Sequence, residues 1–305
     1  MATFSGRSAF ASGFKVIGRN PLAFLAWCLV YLVVALGPLA LMGAMVWPQL
    51  QALAALNEAD VSPDSPAATQ QMMALMGQMN AFQLLQWGSS LASSALIVGA
   101  VFRAVLEPER RSFFYLRFGR QELWLALCLV VVGVVLFLVT MISMFPIFIT
   151  TALFACAAEP SAGLAPSVVL ACGAMVLIAL GAIIWLFLRF SLGLPMSFAD
   201  SYFRLFESWS LTRGQVGKMV VVGGLVSVVT FVIQALLFTG FIAAAFAILQ
   251  PTAAMDVTAL TFAQAAPVVG VAAVLMAVVS VLSTTLYLAP LADIYRQLVA
   301  QRESA

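Results

Sequence analysis

Residues 123–148 read LWLALCLVVVGVVLFLVTMISMFPIF, an apolar run without a single charged side chain. About 20 apolar residues are enough to cross the hydrocarbon core of a bilayer. The segment that precedes this run is basic, with Arg110, Arg111, Arg117 and Arg120. Because Lys and Arg beside a span stay on the cytoplasmic side, we predict a transmembrane helix that starts in the cytoplasm.

The same pattern extends outward over the whole chain, which contains five more apolar runs of spanning length. If all six runs cross the membrane, every Lys and Arg falls in the segments on one side of it. The segments on the other side carry only acidic charges. Only 9% of the residues are charged, against about 25% in soluble domains. We predict one all-α integral membrane domain over residues 1–305, with both termini cytoplasmic and spans at about 22–47, 81–106, 123–148, 167–190, 218–248 and 266–290.

Two prolines modify this prediction, because proline removes a helical hydrogen bond and crowds the preceding turn. Pro146 is expected to end or bend the third span, and Pro290 to bend the sixth span near its inner end. The residues after Pro290 are predicted to form a short separate helix.

The basic segments before the first, third and fifth spans share a second pattern. Each has apolar residues at helical spacing and then a glycine, at Gly18, Gly119 and Gly214. We predict amphipathic interfacial helices at about 4–18, 107–118 and 198–213, since such helices lie flat in the head-group layer and glycine favours their ends. The predicted membrane-facing stripe comprises Phe113, Phe114, Phe198, Tyr202, Leu205, Phe206 and Trp209.

The spans and interfacial helices together suggest three hairpins, each preceded by an interfacial helix, and hence a threefold internal repeat. The alternative is that linkers beside a membrane are commonly amphipathic without any repeat. The sequence leaves both interpretations open.

The chain lacks residues on which several classes of enzyme depend. The chain has no histidine, which removes Ser-His-Asp catalysis and the HExxH metal motif. No Asp or Glu lies near the middle of a predicted span, which argues against a proton-coupled pump. We predict no cofactor.

The inner basic residues are the favoured binding residues, because the arginine fork matches the geometry of phosphate oxygens. We predict that they bind the phosphates of anionic membrane lipids; the alternative is that they only orient the chain. Nucleic acid is not an expected partner, whereas a membrane-protein partner or a second copy of the chain is left open. The candidate phosphate-binding residues are Arg110, Arg111, Arg117, Arg120, Arg189, Arg204, Arg213 and Lys218.

Two further patterns support less favoured hypotheses. Met72, Met76 and Met79 share a helical face and could bind Cu(I), but flexible apolar packing explains them better. Ser and Thr residues on the second and sixth spans could line a transport path, although small polar residues mostly serve helix packing. Gln234 is an isolated polar side chain within a span and should need a hydrogen-bond partner.

A family resemblance rests on two stretches, RFSLGLP at 189–195 and FESWSLTRG at 206–214. They resemble the integral-membrane domain found beside glycerophosphodiester phosphodiesterases and in related stand-alone bacterial inner-membrane proteins. The phosphodiesterase activity of that family belongs to a separate barrel domain that uses histidine, which this chain lacks. The resemblance therefore implies a bacterial inner-membrane protein without that activity. Our leading hypothesis is a non-enzymatic protein that organises or binds lipids or a membrane partner; a transporter or lipid-translocating protein is the alternative, and an intramembrane enzyme is a weaker one.

Overall fold

The computed structural model describes residues 4–58, 65–109, 112–157, 166–249 and 262–303. No strand occurs in these five ranges. A π-helical turn, Tyr31–Ala35, joins the second and third helices. The α-helices are α1 (Gly6–Arg19), α2 (Pro21–Val30), α3 (Gly37–Glu58), α4 (Pro66–Leu106), α5 (Arg120–Ala157), α6 (Pro166–Phe190), α7 (Gly193–Asp200), α8 (Ser208–Leu211), α9 (Val216–Leu249) and α10 (Phe262–Glu303).

Six helical segments are long and apolar enough to cross a membrane, as the sequence predicts. The first combines α2, the π-helical turn and α3, the third adds the residues just before α5 to that helix, the fourth combines α6 and α7, and the others belong to α4, α9 and α10. The chain thus has the architecture of a multi-pass membrane protein. The six apolar segments are Pro21–Gln49, Thr69–Leu106, Phe113–Leu153, Pro166–Asp200, Val216–Ala247 and Ala266–Arg302.

The helix end expected at Pro146 and the separate helix expected after Pro290 do not occur. α5 continues through Pro146 to Ala157, and α10 continues through Pro290 to Glu303. Apolar surroundings favour this continuity, because every neighbouring backbone group must still be paired within the helix. At Pro146 the carbonyl also accepts a hydrogen bond of 2.7 Å from the Thr150 hydroxyl.

The fourth helix is the centre of the bundle. In its most apolar window 61% of the residues are buried, against 11–22% in the other five spans. α4 packs against α3, α5 and α10, and its Phe102 lies in a core with Trp27, Leu125 and Phe198. The other spans therefore present most of their surface outward, as helices in contact with lipid do.

We call the end of the bundle that carries Arg103, Arg120, Arg189, Lys218 and Arg296 the basic end. Here α1 lies across α10 and α9 and covers nearly the same residues as the helix predicted at 4–18. It buries one face against these helices, with close backbone contact at Gly13, where an added Cβ would lie 3.0 Å from the Leu286 Cα. A second apolar cluster forms beneath it around Phe4, Leu192, Met219 and Ile294.

The prediction of a helix at 107–118 is wrong. Residues 112–115 form a tight turn in which Phe113, Phe114 and Tyr115 have φ values of 49°, 56° and 64°, and residues 116–118 are not helical. Two donors from elsewhere in the fold replace the helical hydrogen bonds. Trp27 Nε1 donates to the Phe114 carbonyl at 2.9 Å, and Arg103 Nη1 donates to the Tyr115 carbonyl at 2.8 Å.

The single helix predicted at 198–213 is also wrong. α7 ends at Asp200, followed by Ser201 with a φ of 51°, and only the one-turn α8 follows within that range. The break lets Phe198 and Leu205 point into the protein, where both are fully buried. They are core residues and no part of a membrane-facing stripe, whereas Tyr202, Phe206 and Trp209 are exposed.

The glycine pattern behind the proposed repeat differs among the three segments. Gly18 lies inside α1, which ends at Arg19, and Gly119 has no positive φ. Gly214 alone of the three has a left-handed backbone, with φ of 82°.

The expected partner of Gln234 is present. Its Nε2 donates to the Ser283 hydroxyl at 2.9 Å and thereby joins α9 to α10. The serines of the second span also fit a role in helix packing better than a transport path. The fully buried Ser93 donates a hydrogen bond to the Ser90 carbonyl of its own helix.

Candidate functional site

The structure brings together only some of the predicted phosphate-binding residues. Arg189 and Arg213 line one cleft at the basic end. Arg117 and Arg120 are exposed near the start of α5, and Lys218 is exposed near the start of α9. Arg110 and Arg111 lie outside the described residues.

Arg189 packs against two tryptophans that are in contact with each other. Its guanidinium carbon lies 5.5 Å from the ring centre of Trp185 and 5.0 Å from that of Trp209, and the two rings meet edge to face. Nη1 donates to the Trp209 carbonyl and to the Thr212 hydroxyl, each at 3.3 Å. Nη1 is therefore engaged by the protein and Nε is buried without a partner among the described residues, so Nη2 is the nitrogen of Arg189 that is left to meet an anion.

The cleft beside Arg189 has a volume of about 720 Å³. Phe206 and Trp209 form its aromatic wall, and Arg213 and the Ser210 side chain add polar groups. Phe206 and Trp209 are exposed although they are large and aromatic. A basic cleft with exposed aromatic rims has the composition of a membrane boundary, where aromatic side chains sit at head-group level.

The residues that carry the family resemblance form this cluster. Besides its contacts with Trp209 and Thr212, Arg189 accepts at its carbonyl a 2.6 Å hydrogen bond from the Ser208 hydroxyl. Gly214 then supplies the left-handed turn that leads into α9. The motif thus fastens the end of α6 to α8, which explains its residue types in structural terms.

Arg204 is the least suitable of the predicted ligands. It forms ion pairs with Asp200 and with Glu207. The hydrogen bond from Arg204 lowers the pKa of the Glu207 carboxyl below its ordinary value. The carboxylate therefore stays charged over a wider pH range and continues to compensate Arg204.

The most buried charged pair was not recognised in the sequence. Arg103 of α4 and Glu122 of α5 form an ion pair in which both side chains are at least 96% buried, as their exposures of 4% and 1% show. Arg103 also lies over the Phe198 ring, with its guanidinium carbon 5.4 Å from the ring centre. The second carboxylate oxygen of Glu122 accepts a 2.9 Å hydrogen bond from the Gly119 backbone N–H.

Because ligands cannot reach this buried pair, we assign it a structural role. It joins α4, α5 and α7 and fixes the left-handed turn through the Tyr115 carbonyl. The only sequence signal was an arginine at the end of an apolar run and a glutamate at the start of the next. Nothing local in the sequence shows that the two meet.

The three methionines of the Cu(I) hypothesis are exposed on the first half of α4. Within the ranges that the structure describes, no group of three or more His, Cys, Asp or Glu side chains could hold a metal ion. Of the cysteines in these ranges, Cys28, Cys128 and Cys172 are free thiols.

Comparisons of the chain with models of protein families, with curated proteins and with solved structures gave no match. The resemblance described above therefore rests on its two sequence stretches alone.

Proposed function

We propose that the protein is a non-enzymatic, multi-pass protein of a bacterial inner membrane that binds anionic lipids at its basic end. One observation carries this proposal: Arg189, packed against the rings of Trp185 and Trp209, shares a cleft with Arg213. The two guanidinium charges attract phosphate oxygens, and tryptophan favours the head-group layer. The same site could serve a membrane-protein partner that carries phosphate or carboxylate groups.

Loss of the two arginines should weaken lipid binding. For the Arg189→Gln/Arg213→Gln variant we expect an anionic-lipid affinity on the order of tenfold lower, since each basic residue near an anionic surface contributes about 1 kcal/mol. The measurement is native mass spectrometry of phosphatidylglycerol bound to the purified full chain. Arg204→Gln is the matched control, because Asp200 and Glu207 already compensate that charge. Equal losses in both variants would show that general basicity, and not this cleft, binds the lipid.

The proposal places the basic end and both termini in the cytoplasm, because basic residues beside spans stay on that side. In a variant without native cysteines, Ser62→Cys and Ala253→Cys should react with an impermeant thiol reagent in intact cells. Ser210→Cys, at an exposed position of the basic end, should react only after permeabilisation. Labelling of Ser210→Cys in sealed cells would show that the basic end faces outward, opposite to the proposed orientation.

The arrangement as three hairpins with a threefold repeat belongs to this proposal as well. Its support is that α3 packs on α4, α5 on α6 and α9 on α10. The alternative, a transport path lined by Ser and Thr hydroxyls, gains no comparable support, because such a path needs hydroxyls that are open to a solute. Thr285 on the sixth span is fully buried and bonds the Val281 carbonyl of its own helix.

A further inference from the structure

A second basic cleft lies at the other side of the basic end, between α1, the end of α4 and α10. It has a volume of about 300 Å³, and the charged side chains that line it, among the residues that the structure describes, are Lys15, Arg19, Arg296 and the carboxylate Asp293. None of these residues belongs to the set predicted from sequence. The cleft also shares no lining residue with the Arg189 cleft.

The carboxylate of this cleft is already satisfied. Asp293 is only 2% exposed, and its oxygens accept hydrogen bonds from Arg296 at 2.5 Å, from the Ser8 hydroxyl at 3.0 Å and from Gln297 Nε2 at 2.6 Å. Arg296 is held further by a 3.1 Å hydrogen bond from Nη1 to the Val105 carbonyl. Asp293 therefore positions Arg296, while the exposed Lys15 and Arg19 complete a site with excess positive charge. Such a site favours an anion.

An apolar groove of about 430 Å³ continues from the cleft. Arg19, Asn20 and Tyr115 line both spaces, so the polar and apolar parts adjoin. Beyond them the groove is lined by Leu22 and Phe113, among other apolar side chains. The groove starts where α2 begins the first apolar span, which is the level at which a lipid changes from head group to acyl chain.

The wall of the groove is a strained turn. Phe113, Phe114 and Tyr115 all have left-handed backbone conformations, which bulky L-residues adopt only at a cost. Trp27 and Arg103 impose the turn through their hydrogen bonds to its carbonyls. As a result Phe113 is 77% exposed beside the start of α2. Strain held by buried donors is typical of ligand clamps.

We propose that the cleft and groove together bind one molecule of an anionic phospholipid. Its phosphate is bound by Lys15, Arg19 and Arg296, and one acyl chain follows the groove past Leu22 and Phe113. The phosphate chemistry alone would also suit free inorganic phosphate. The adjoining groove favours the lipid, because phosphate has no apolar part to fill it.

The test uses the purified full chain in detergent, with dioleoyl phosphatidylglycerol as the lipid probe. The Lys15→Gln/Arg19→Gln variant changes two exposed residues and leaves the Asp293–Arg296 pair intact. We expect its lipid affinity at this site to fall on the order of tenfold, from the loss of two cations near the phosphate. The Arg189→Gln/Arg213→Gln variant should keep this binding and lose only the other. If Arg189→Gln/Arg213→Gln removes all bound lipid, the present inference fails while the proposed function stands.

A second variant separates a binding role of the turn from a purely structural one. Glycine adopts left-handed conformations without strain, and this relief should exceed the entropy that glycine adds to the unfolded chain, so Phe113→Gly should raise the midpoint of thermal unfolding slightly. It also removes the groove wall, and we expect about fivefold weaker lipid binding. A gain in stability with unchanged lipid affinity would overturn the groove assignment.

Inorganic phosphate and dioleoyl phosphatidylcholine complete the design. Both should compete poorly against phosphatidylglycerol, because one lacks the acyl chains and the other lacks net negative charge. Displacement of the lipid by millimolar phosphate would identify a site for free phosphate, and equal binding of phosphatidylcholine would exclude recognition of the anionic head group. Unchanged phosphatidylglycerol affinity in Lys15→Gln/Arg19→Gln would refute the site altogether.

Discussion

Glu122→Gln should lower the free energy of unfolding by about 3 kcal/mol, in the lower part of the range for breaking a buried ion pair. The substitution keeps the shape of the side chain and one acceptor oxygen but leaves the Arg103 guanidinium buried without its counter-ion. It also weakens the bond that the Gly119 N–H donates to the carboxylate. In detergent, the midpoint of thermal unfolding measured by tryptophan fluorescence should fall on the order of 10 °C.

Two comparisons make this expectation specific to the pair. The Arg103→Met/Glu122→Met variant should be less destabilised than the sum of its single substitutions, because neither charge is then left alone. Glu207→Gln removes the partner of an exposed arginine and should leave the midpoint nearly unchanged. Additive losses in the double variant would mean that Arg103 and Glu122 act independently.

Gly193→Ala is expected to be the second strongly destabilising change. A Cβ at this position would lie 2.6 Å from the Leu205 Cδ1 and 2.9 Å from the Leu205 Cα. The side-chain atom can move, but the backbone contact can be relieved only if α7 separates from the segment around Leu205. Overpacking of this kind costs about 1–3 kcal/mol, so the midpoint should fall by several degrees.

Gly217→Ala is the matched control, since a Cβ there meets nothing within 4 Å. Alanine is favoured over glycine in a helix by about 1 kcal/mol, so this variant should be neutral or more stable. Separation of α7 should also disturb the 3.0 Å hydrogen bond from the Arg204 N–H to the Ser197 hydroxyl. A Gly193→Ala protein as stable as Gly217→Ala would contradict the close packing at this turn.

The spans could be predicted from sequence because the signal is local. A run of apolar residues bounded by charges indicates a membrane helix whatever its neighbours are. The predicted 167–190 accordingly corresponds to α6 at Pro166–Phe190, and 218–248 to α9 at Val216–Leu249. The interruptions predicted at Pro146 and Pro290 were wrong for a related reason. Proline removes one backbone hydrogen bond, but apolar surroundings still require all the others, so each helix continues.

The basic end could not be predicted in the same way, because distant residues determine its shape. The aromatic spacing at 107–118 suits a helix, yet Trp27 and Arg103 bind the carbonyls of the turn instead. The binding clefts were only partly predictable for the same reason. Arg189 and Arg213 were recognised as basic residues beside spans, whereas the cleft of Lys15, Arg19 and Arg296 joins the two ends of the chain.

The packing of α1 on α10 also constrains how the protein is made. The hydrogen bond between Ser8 and Asp293 links residues 285 positions apart. At about 5–20 residues per second, the ribosome takes on the order of 15–60 s to synthesise the intervening chain. During that time the apolar face of α1 has been made while its partner has not. α1 is thus translated long before its final contacts can form, and its apolar face needs a temporary cover until then, which the membrane surface itself can provide.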